Sequence, residues 1–385
     1  MSSGKKVMTG THFMMGNFAC AEGAIAAGCE FVAGYPITPA SEIVNQLARR
    51  LPQVGGIFLQ AEDEISAICA AIGASWTGHK EMTATSGPGI SLMQENIGLA
   101  VATETPLVIV DVQRLGPSTG VPSIGSPGDV VQVARGSHGD YQVIALCPES
   151  PQEMFDLTVR AFNLAERYRV PVFLLADGLA GHMRERVEIP VADSLDIIDR
   201  NVTTGGNDPM ERIDFLDEDV APMPVFGRGF KAHVSGSCHD EHGMRNLSAP
   251  EVMHRYISRP IDKILKHRDD IIQVEADYSP ADIALVTYGT VSRSARAAAQ
   301  LGRAEGINVG TLRMITCWPF PDREIRQIAE IVDLMLVLEN NRGQLYPYIK
   351  AEAAHACQIE FLGPQILGQI HDPENILARI KEMIK

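Results

Sequence analysis

Short apolar runs alternate with longer mixed stretches over the first 186 residues. The runs Phe31–Gly34, Gly56–Gln60, Glu81–Ser86, Pro106–Gln113, Tyr141–Ala145 and Pro171–Ala176 predict strands. Between them, Ala40–Leu51, Glu64–Thr77, Ile90–Thr103 and Pro151–Tyr168 predict helices. That order is the signature of a parallel sheet wrapped by helices. From 193 to 248 the pattern fails, and clusters of Gly, Pro, Asp and Asn predict a connection carrying a long loop. From about Ala249 it resumes, with strands at Ile283–Tyr288, Asn308–Thr316 and Leu334–Glu339. Helices follow at Val291–Glu305, Arg323–Val332, Gln344–His355 and Pro373–Ile384. The expectation is an α/β protein of two units, 1–192 and 249–385, joined by 193–248. No repeat of solenoid length is present.

Composition narrows the function. The formal net charge of −15 argues against a phosphate backbone as partner, because nucleic-acid binding needs a basic footprint. No apolar run is long enough to span a bilayer, and Met1 to Gly16 lacks the apolar stretch of a signal peptide, so a cytoplasmic protein is expected. The seven cysteines never form Cys-x-x-Cys, so no metal or iron–sulfur site is expected in this chain; buried reduced thiols are. No Gly-x-Gly-x-x-Gly follows a strand, which disfavours a dinucleotide enzyme.

Glu64 opens a helix in which Ala67, Ala71, Ala74 and Gly78 recur at helical spacing, a small-residue stripe that permits close backbone approach. A carboxylate there also suits the positive end of the helix dipole, so plain capping by Glu62, Asp63 or Glu64 is an alternative. Thr83-Ala-Thr-Ser86-Gly87-Pro88-Gly89 then ends a strand and opens the helix carrying Asn96, and Thr105-Pro106 leads into the next strand.

This succession resembles the pyrimidine-binding domain of thiamine diphosphate enzymes. The resemblance implies that Glu64, at the matching offsets, hydrogen-bonds N1′ of the aminopyrimidine and favours its imino tautomer, with Gly87 and Asn96 as further cofactor contacts. The cofactor would be the electron sink after decarboxylation. The family's Gly-Asp-Gly and downstream Asn, which hold Mg²⁺ and the diphosphate, do not occur; Asp177-Gly178 lacks both the preceding glycine and the asparagine. Another chain is therefore expected to supply them.

Two further strings are more specific. In Gly34-Tyr-Pro-Ile-Thr38-Pro39, Thr38 reads as a helix N-cap with Pro39 at the first helical position, and the helix end could hold a carboxylate. Asp111-Val-Gln-Arg114 and the hydroxyls Ser118, Thr119 and Ser123 follow a buried strand, where open sheets place ligands. Arg114 offers a bidentate fork for a carboxylate, or else a solvated loop charge. Both strings resemble those of 2-oxoacid:ferredoxin oxidoreductases, with Pro122-Ser123 where members often have Pro-Thr. Gln132 through Tyr141 (with Gly136-Ser-His138-Gly-Asp140), Gly236-Ser-Cys-His239-Asp240-Glu241 and Leu338 through Gln344 look like family segments too, and the two histidines read more readily as structural than as active-site groups.

The resemblance implies a thiamine-diphosphate-binding domain followed by a transketolase C-terminal-like domain. Pro148–Glu166 and Gly181–Arg186 look most like the α subunits that act on 2-oxoglutarate. The implied reaction converts 2-oxoglutarate, coenzyme A and oxidised ferredoxin to succinyl-coenzyme A, CO₂ and reduced ferredoxin, and is open to reversal. Arg114 and Thr38 would bind substrate, and Ser118, Thr119 and Ser123 would shape the pocket. A β subunit would carry the diphosphate, Mg²⁺ and [4Fe-4S] sites, beside a γ subunit and an optional ferredoxin-like δ subunit. Branched-chain 2-oxoacids or pyruvate as substrate, a self-sufficient thiamine decarboxylase or synthase, and a non-catalytic assembly subunit are the alternatives.

Overall fold

The computed structural model describes residues 7–203, 219–229, 232–240, 242–278 and 281–384. Its first unit contains β1 (Gly10–Met15), α1 (Gly16–Ala26), β2 (Phe31–Gly34), α2 (Ser41–Arg50), β3 (Ile57–Gln60), α3 (Glu64–Trp76), β4 (Glu81–Thr85) and α4 (Gly87–Ala102). It continues with β5 (Leu107–Leu115), β6 (Val121–Gly125), α5 (Val130–Arg135), β7 (Ile144–Leu146), α6 (Pro151–Tyr168), β8 (Pro171–Asp177), α7 (Gly178–His182) and β9 (Arg184–Ile189). After the connection come α8 (Pro250–Lys266), α9 (Arg268–Ile271), β10 (Val274–Asp277), β11 (Ile283–Tyr288), α10 (Val291–Ala304), β12 (Val309–Met314) and β13 (Thr316–Trp318). The chain ends with α11 (Asp322–Ala329), β14 (Leu334–Leu338), α12 (Tyr346–Ala353), β15 (Gln358–Leu362) and α13 (Pro373–Met383).

The first sheet runs β13-β7-β8-β5-β4-β2-β3, parallel from β7 to β3. Central strands β5 and β8 are buried on both faces, and each opens on an unbroken apolar stretch, Leu107–Val110 and Pro171–Ala176. Their side chains alternate faces. Val108, Val110 and Val112 point into a core shared with α1, α2 and α6, whereas Leu107 and Ile109 point toward α3, α4 and α5. The second sheet runs β10-β12-β11-β14-β15 and is parallel except for β10.

The two units are welded together. β13 leaves the second unit and pairs antiparallel with β7 at the edge of the first sheet. Trp318 on β13 donates its indole N–H to the Val130 carbonyl, and one hydrophobic core runs unbroken from α3–α5 to the second sheet. Helix α8 packs back on the first unit, where Lys263 donates to Glu104 and to the Arg169 carbonyl.

Several elements differ from expectation. Helix α4 starts at Gly87, so the Ser-Gly-Pro-Gly turn is its first turn. The expected strand over Tyr141–Ala145 is instead Ile144–Leu146. Thr38 is not an N-cap and Pro39 is not at the first helical position: α2 begins at Ser41 after Ala40, with no side-chain cap, and the Thr38–Pro39 peptide is cis. Residues 204–218, 230–231 and 241 of the expected 193–248 loop lie outside the described residues. In its described part, Arg200 donates to Glu166 and Ser75, and Phe226 stacks on Trp76, which holds the connection against the first unit.

Candidate active site

The start of α3 separates the three adjacent acidic residues. Asp63 is the N-cap and accepts from the Ser66 N–H at 2.7 Å, while Glu62 is exposed. Glu64 is left out of the capping and turned inward, only 4% exposed. Burial pushes its carboxyl above the usual range, helped by Asp63 and opposed by Arg114 and by a hydrogen bond to Thr85. The first turn of α4 makes room for it. A Cβ on Gly89 would lie 1.9 Å from Thr85 Oγ1 and 2.8 Å from Glu64 Oε1. Of the small-residue stripe, Ala67 and Ala71 are buried against the core.

Arg114 lies near the end of β5, 7% exposed, and its Nη1 donates to the Thr38 carbonyl at 2.8 Å. Thus the two strings, 76 residues apart, meet through a backbone oxygen. Arg114 Nε has no partner among the described residues. The guanidinium lines a cavity of about 440 Å³ together with Gly87, Ser118, Asp129, Gln132 and Arg342. Ser118 is held in the left-handed region at φ 56°. Thr38 and, on the β5–β6 hairpin, Thr119 and Ser123 are exposed and outside that lining. Asn96 is buried between α3 and α4 and accepts from the Cys69 thiol at 3.3 Å. At the α2 N-terminus, Asn17 bonds both the Pro39 carbonyl and the Glu42 carboxylate, so that helix end already carries an anion.

The second unit closes the cavity. Asn341 donates to the Pro127 carbonyl at 2.7 Å, and Gln344 bonds the Gly128 carbonyl and the Val131 N–H. Glu339 anchors this loop by accepting from the Leu345 and Tyr346 N–H groups. His138 and His239 line other hollows, and His239 Nδ1 bonds the Ser237 carbonyl at 2.8 Å. Not all thiols are buried: Cys69 is exposed and Cys238 and Cys357 are half-buried. Among the described residues no group of three or more His, Cys, Asp or Glu side chains could hold a metal ion.

Residues 22–258 match the family described as pyruvate flavodoxin/ferredoxin oxidoreductase, thiamine diphosphate-binding. Residues 281–376 match pyruvate:ferredoxin oxidoreductase core domain II. The chain belongs to the 2-oxoacid:ferredoxin oxidoreductase family. It is 51% identical to the 2-oxoglutarate synthase subunit KorA of Methanothermobacter marburgensis, over 98% of this chain and 100% of that one. A solved 2-oxoglutarate:ferredoxin oxidoreductase from Magnetococcus marinus, with 2-oxoglutarate, coenzyme A and succinyl-CoA bound, superposes with a TM-score of 0.90 at 35% identity. That superposition covers 98% of this chain and 66% of the other. A split-gene transketolase shares the fold, with a TM-score of 0.56 at 11% identity over 96% of this chain and 98% of that one.

For a 2-oxoacid:ferredoxin oxidoreductase, the residues present fit one end of thiamine diphosphate. Glu64 is a buried carboxyl with a raised proton affinity, seated where residue 89 must be glycine. Sequence reading gave no role to Asp129, Gln132 or Arg342 on the cavity wall. For Asp129 the one local signal is its place directly before an apolar helix, and that signal says cap rather than site.

Proposed function

We propose that this chain is the α subunit of a 2-oxoglutarate:ferredoxin oxidoreductase. The complex carries out thiamine-diphosphate-dependent oxidative decarboxylation of 2-oxoglutarate with coenzyme A, yielding succinyl-coenzyme A, CO₂ and reduced ferredoxin. The observation that carries the reading is Glu64, buried and relieved of capping by Asp63, in a chain of this family.

When bound, thiamine diphosphate supplies the electron sink for loss of CO₂. Glu64 would face N1′ of its aminopyrimidine. Burial raises the carboxyl's proton affinity, which favours sharing a proton across that contact. Gly89 gives the carboxyl its space, and Gly87 lines the adjoining wall. Asn96, which accepts from the Cys69 thiol between α3 and α4, would be a further contact of the cofactor. Arg114 is aimed by the Thr38 carbonyl, and its remaining donors would take a substrate carboxylate. Ser118 would add a hydroxyl to the cavity, whereas Thr38, Thr119 and Ser123 stand outside its lining and would reach substrate only by a shift of their segments.

The diphosphate, Mg²⁺ and [4Fe-4S] sites would belong to a β subunit, alongside a γ subunit and an optional δ subunit, with ferredoxin as electron acceptor. The missing Gly-Asp-Gly pattern supports this. So do the exposed side chains of Ile57, Leu59, Ile65 and Leu92, on elements flanking Glu64. The test is to purify the chain with its native partners and assay a panel of 2-oxoacids with coenzyme A and a low-potential acceptor. Preference for 2-oxoglutarate is expected; preference for 2-oxoisovalerate would overturn the substrate.

A further inference from the structure

Two carboxyl groups meet behind the cavity wall. Asp111 follows Leu107 and Ile109 in the row of β5 side chains that faces α3–α5. It is fully buried and in register with Thr85 on one side and Leu175 on the other. Asp129, directly before α5, is the charged neighbour that acts on it and also lines the cavity with Arg114. Both Asp111 oxygens and Asp129 Oδ2 are buried and have no hydrogen-bond donor among the described residues. Two neighbouring buried carboxylates with no donor between them are not both ionised, so the pair keeps a proton.

We propose that Asp111 and Asp129 form a one-proton dyad coupled to Arg114, which takes up a second proton when an anionic 2-oxoacid reaches the guanidinium. The inference rests on the proposed placement of the substrate carboxylate at Arg114. With one charge on the dyad, Arg114 is locally balanced. An incoming carboxylate adds a second anion beside Asp129, and in a low-dielectric wall that repulsion is relieved by protonating it. The proton comes from the buffer through the open cavity and goes to Asp129, the member of the pair that lines it.

The charged groups on the surrounding elements leave this coupling to Arg114. Glu64 on α3 is bonded to Thr85, and Asp177 at the end of β8 is bonded to Thr290 and to the Ala180 N–H. Glu95 on α4 and Arg135 on α5 lie outside the cavity lining, whereas Arg342, from the loop after β14, lines it. Arg114 is the cation that acts on Asp129.

Burial, then Asp129, holds the Asp111 carboxyl well above the usual range. Burial pushes Asp129 up to about 6, against the opposing effects of Asp111 and Arg114. At neutral pH Asp111 therefore holds the proton and Asp129 the charge. A bound anion raises Asp129 further, so binding weakens as pH rises above about 6, by up to about tenfold per unit for one coupled proton.

The test uses the complex with its native partners. 2-Hydroxyglutarate, which carries the carboxylates but cannot be decarboxylated, is titrated calorimetrically at pH 7 in two buffers of different ionisation enthalpy. KM for 2-oxoglutarate is then followed from pH 6 to 8 in the native complex and in Asp129→Asn. Net proton uptake is expected in the native complex and none in the variant, whose KM should move by less than about twofold over that range. No uptake in the native complex, or the same KM slope in Asp129→Asn, overturns the dyad. Should the variant fail to assemble, the native calorimetry decides alone. Turnover of 2-oxoglutarate without proton uptake defeats only the dyad. A complex inert to 2-oxoglutarate that takes up a proton on binding another 2-oxoacid analogue defeats only the substrate reading.

Discussion

Arg114 Nη1 donates to the carbonyl oxygen of Thr38 at 2.8 Å. The bond ties the end of β5 to the loop before α2 and fixes the guanidinium at the cavity wall. A lysine at 114 has one compact ammonium and cannot both keep the Thr38 bond and present a fork to a carboxylate. Arg114→Lys should therefore raise KM for the 2-oxoacid by roughly ten- to a hundredfold, the loss of about 1.5–3 kcal/mol for a charged hydrogen bond. Steady-state kinetics of the assembled complex check this.

Gly89 is the residue whose side chain has no room. Gly89→Ala would put a methyl group against the Thr85 hydroxyl and the Glu64 carboxyl, at a cost of about 1–3 kcal/mol for overpacking. The thermal midpoint of the isolated chain should fall. Gly73→Ala, on the same helix as Glu64 but with open space at its Cβ, should leave it unchanged or raise it, by up to about 1 kcal/mol of helix propensity.

Buried Glu104 is a third test. Burial alone would raise its carboxyl, but Lys263, Arg259 and Arg169 hold it down at about 2. Its folded pKa lies below the unfolded value, so its stabilisation is present above about pH 4.5 and is lost as pH falls toward 2. Its partner Lys263 is itself lowered to about 8 by burial, so the ammonium gives back part of what the carboxylate gains. The cluster's net effect is best read from removal. Glu104→Gln strips the anion from buried cations and should cost about 3–5 kcal/mol. The fall in stability between pH 5 and 3, followed by circular dichroism in urea, should be shallower in that variant than in the native chain.

Elements with clear local punctuation were legible in the sequence. Ser150 caps α6 and Pro151 opens it, and the Ile283–Tyr288 strand is one apolar run ending at Gly289. Helix α1 escaped because it is buried on nearly every side and shows no apolar stripe. Strand β13 escaped because its three residues pair with a strand some 170 positions earlier. At the candidate site, the strings singled out Glu64 and Arg114, which the structure buries, but not the division of labour that gives capping to Asp63. Thr38 looked like a cap because a Thr-Pro pair is a local signal, whereas its carbonyl is used by a residue 76 positions away. Asp111 and Asp129 are 18 residues apart, and only the turn of the β5–β6 hairpin brings them together.

The most direct measurement of the central claim is turnover of 2-oxoglutarate by the co-purified complex carrying Glu64→Gln or Glu64→Ala. Both variants should fold and assemble with the partner chains, since Asp63 and not Glu64 caps the helix. The account predicts that Glu64→Ala lowers kcat by about a hundredfold or more, the scale of a lost proton-sharing group, with Glu64→Gln intact in assembly and similarly slowed. Full activity of assembled Glu64→Ala would contradict it, leaving the chain a scaffold that keeps the fold without the chemistry.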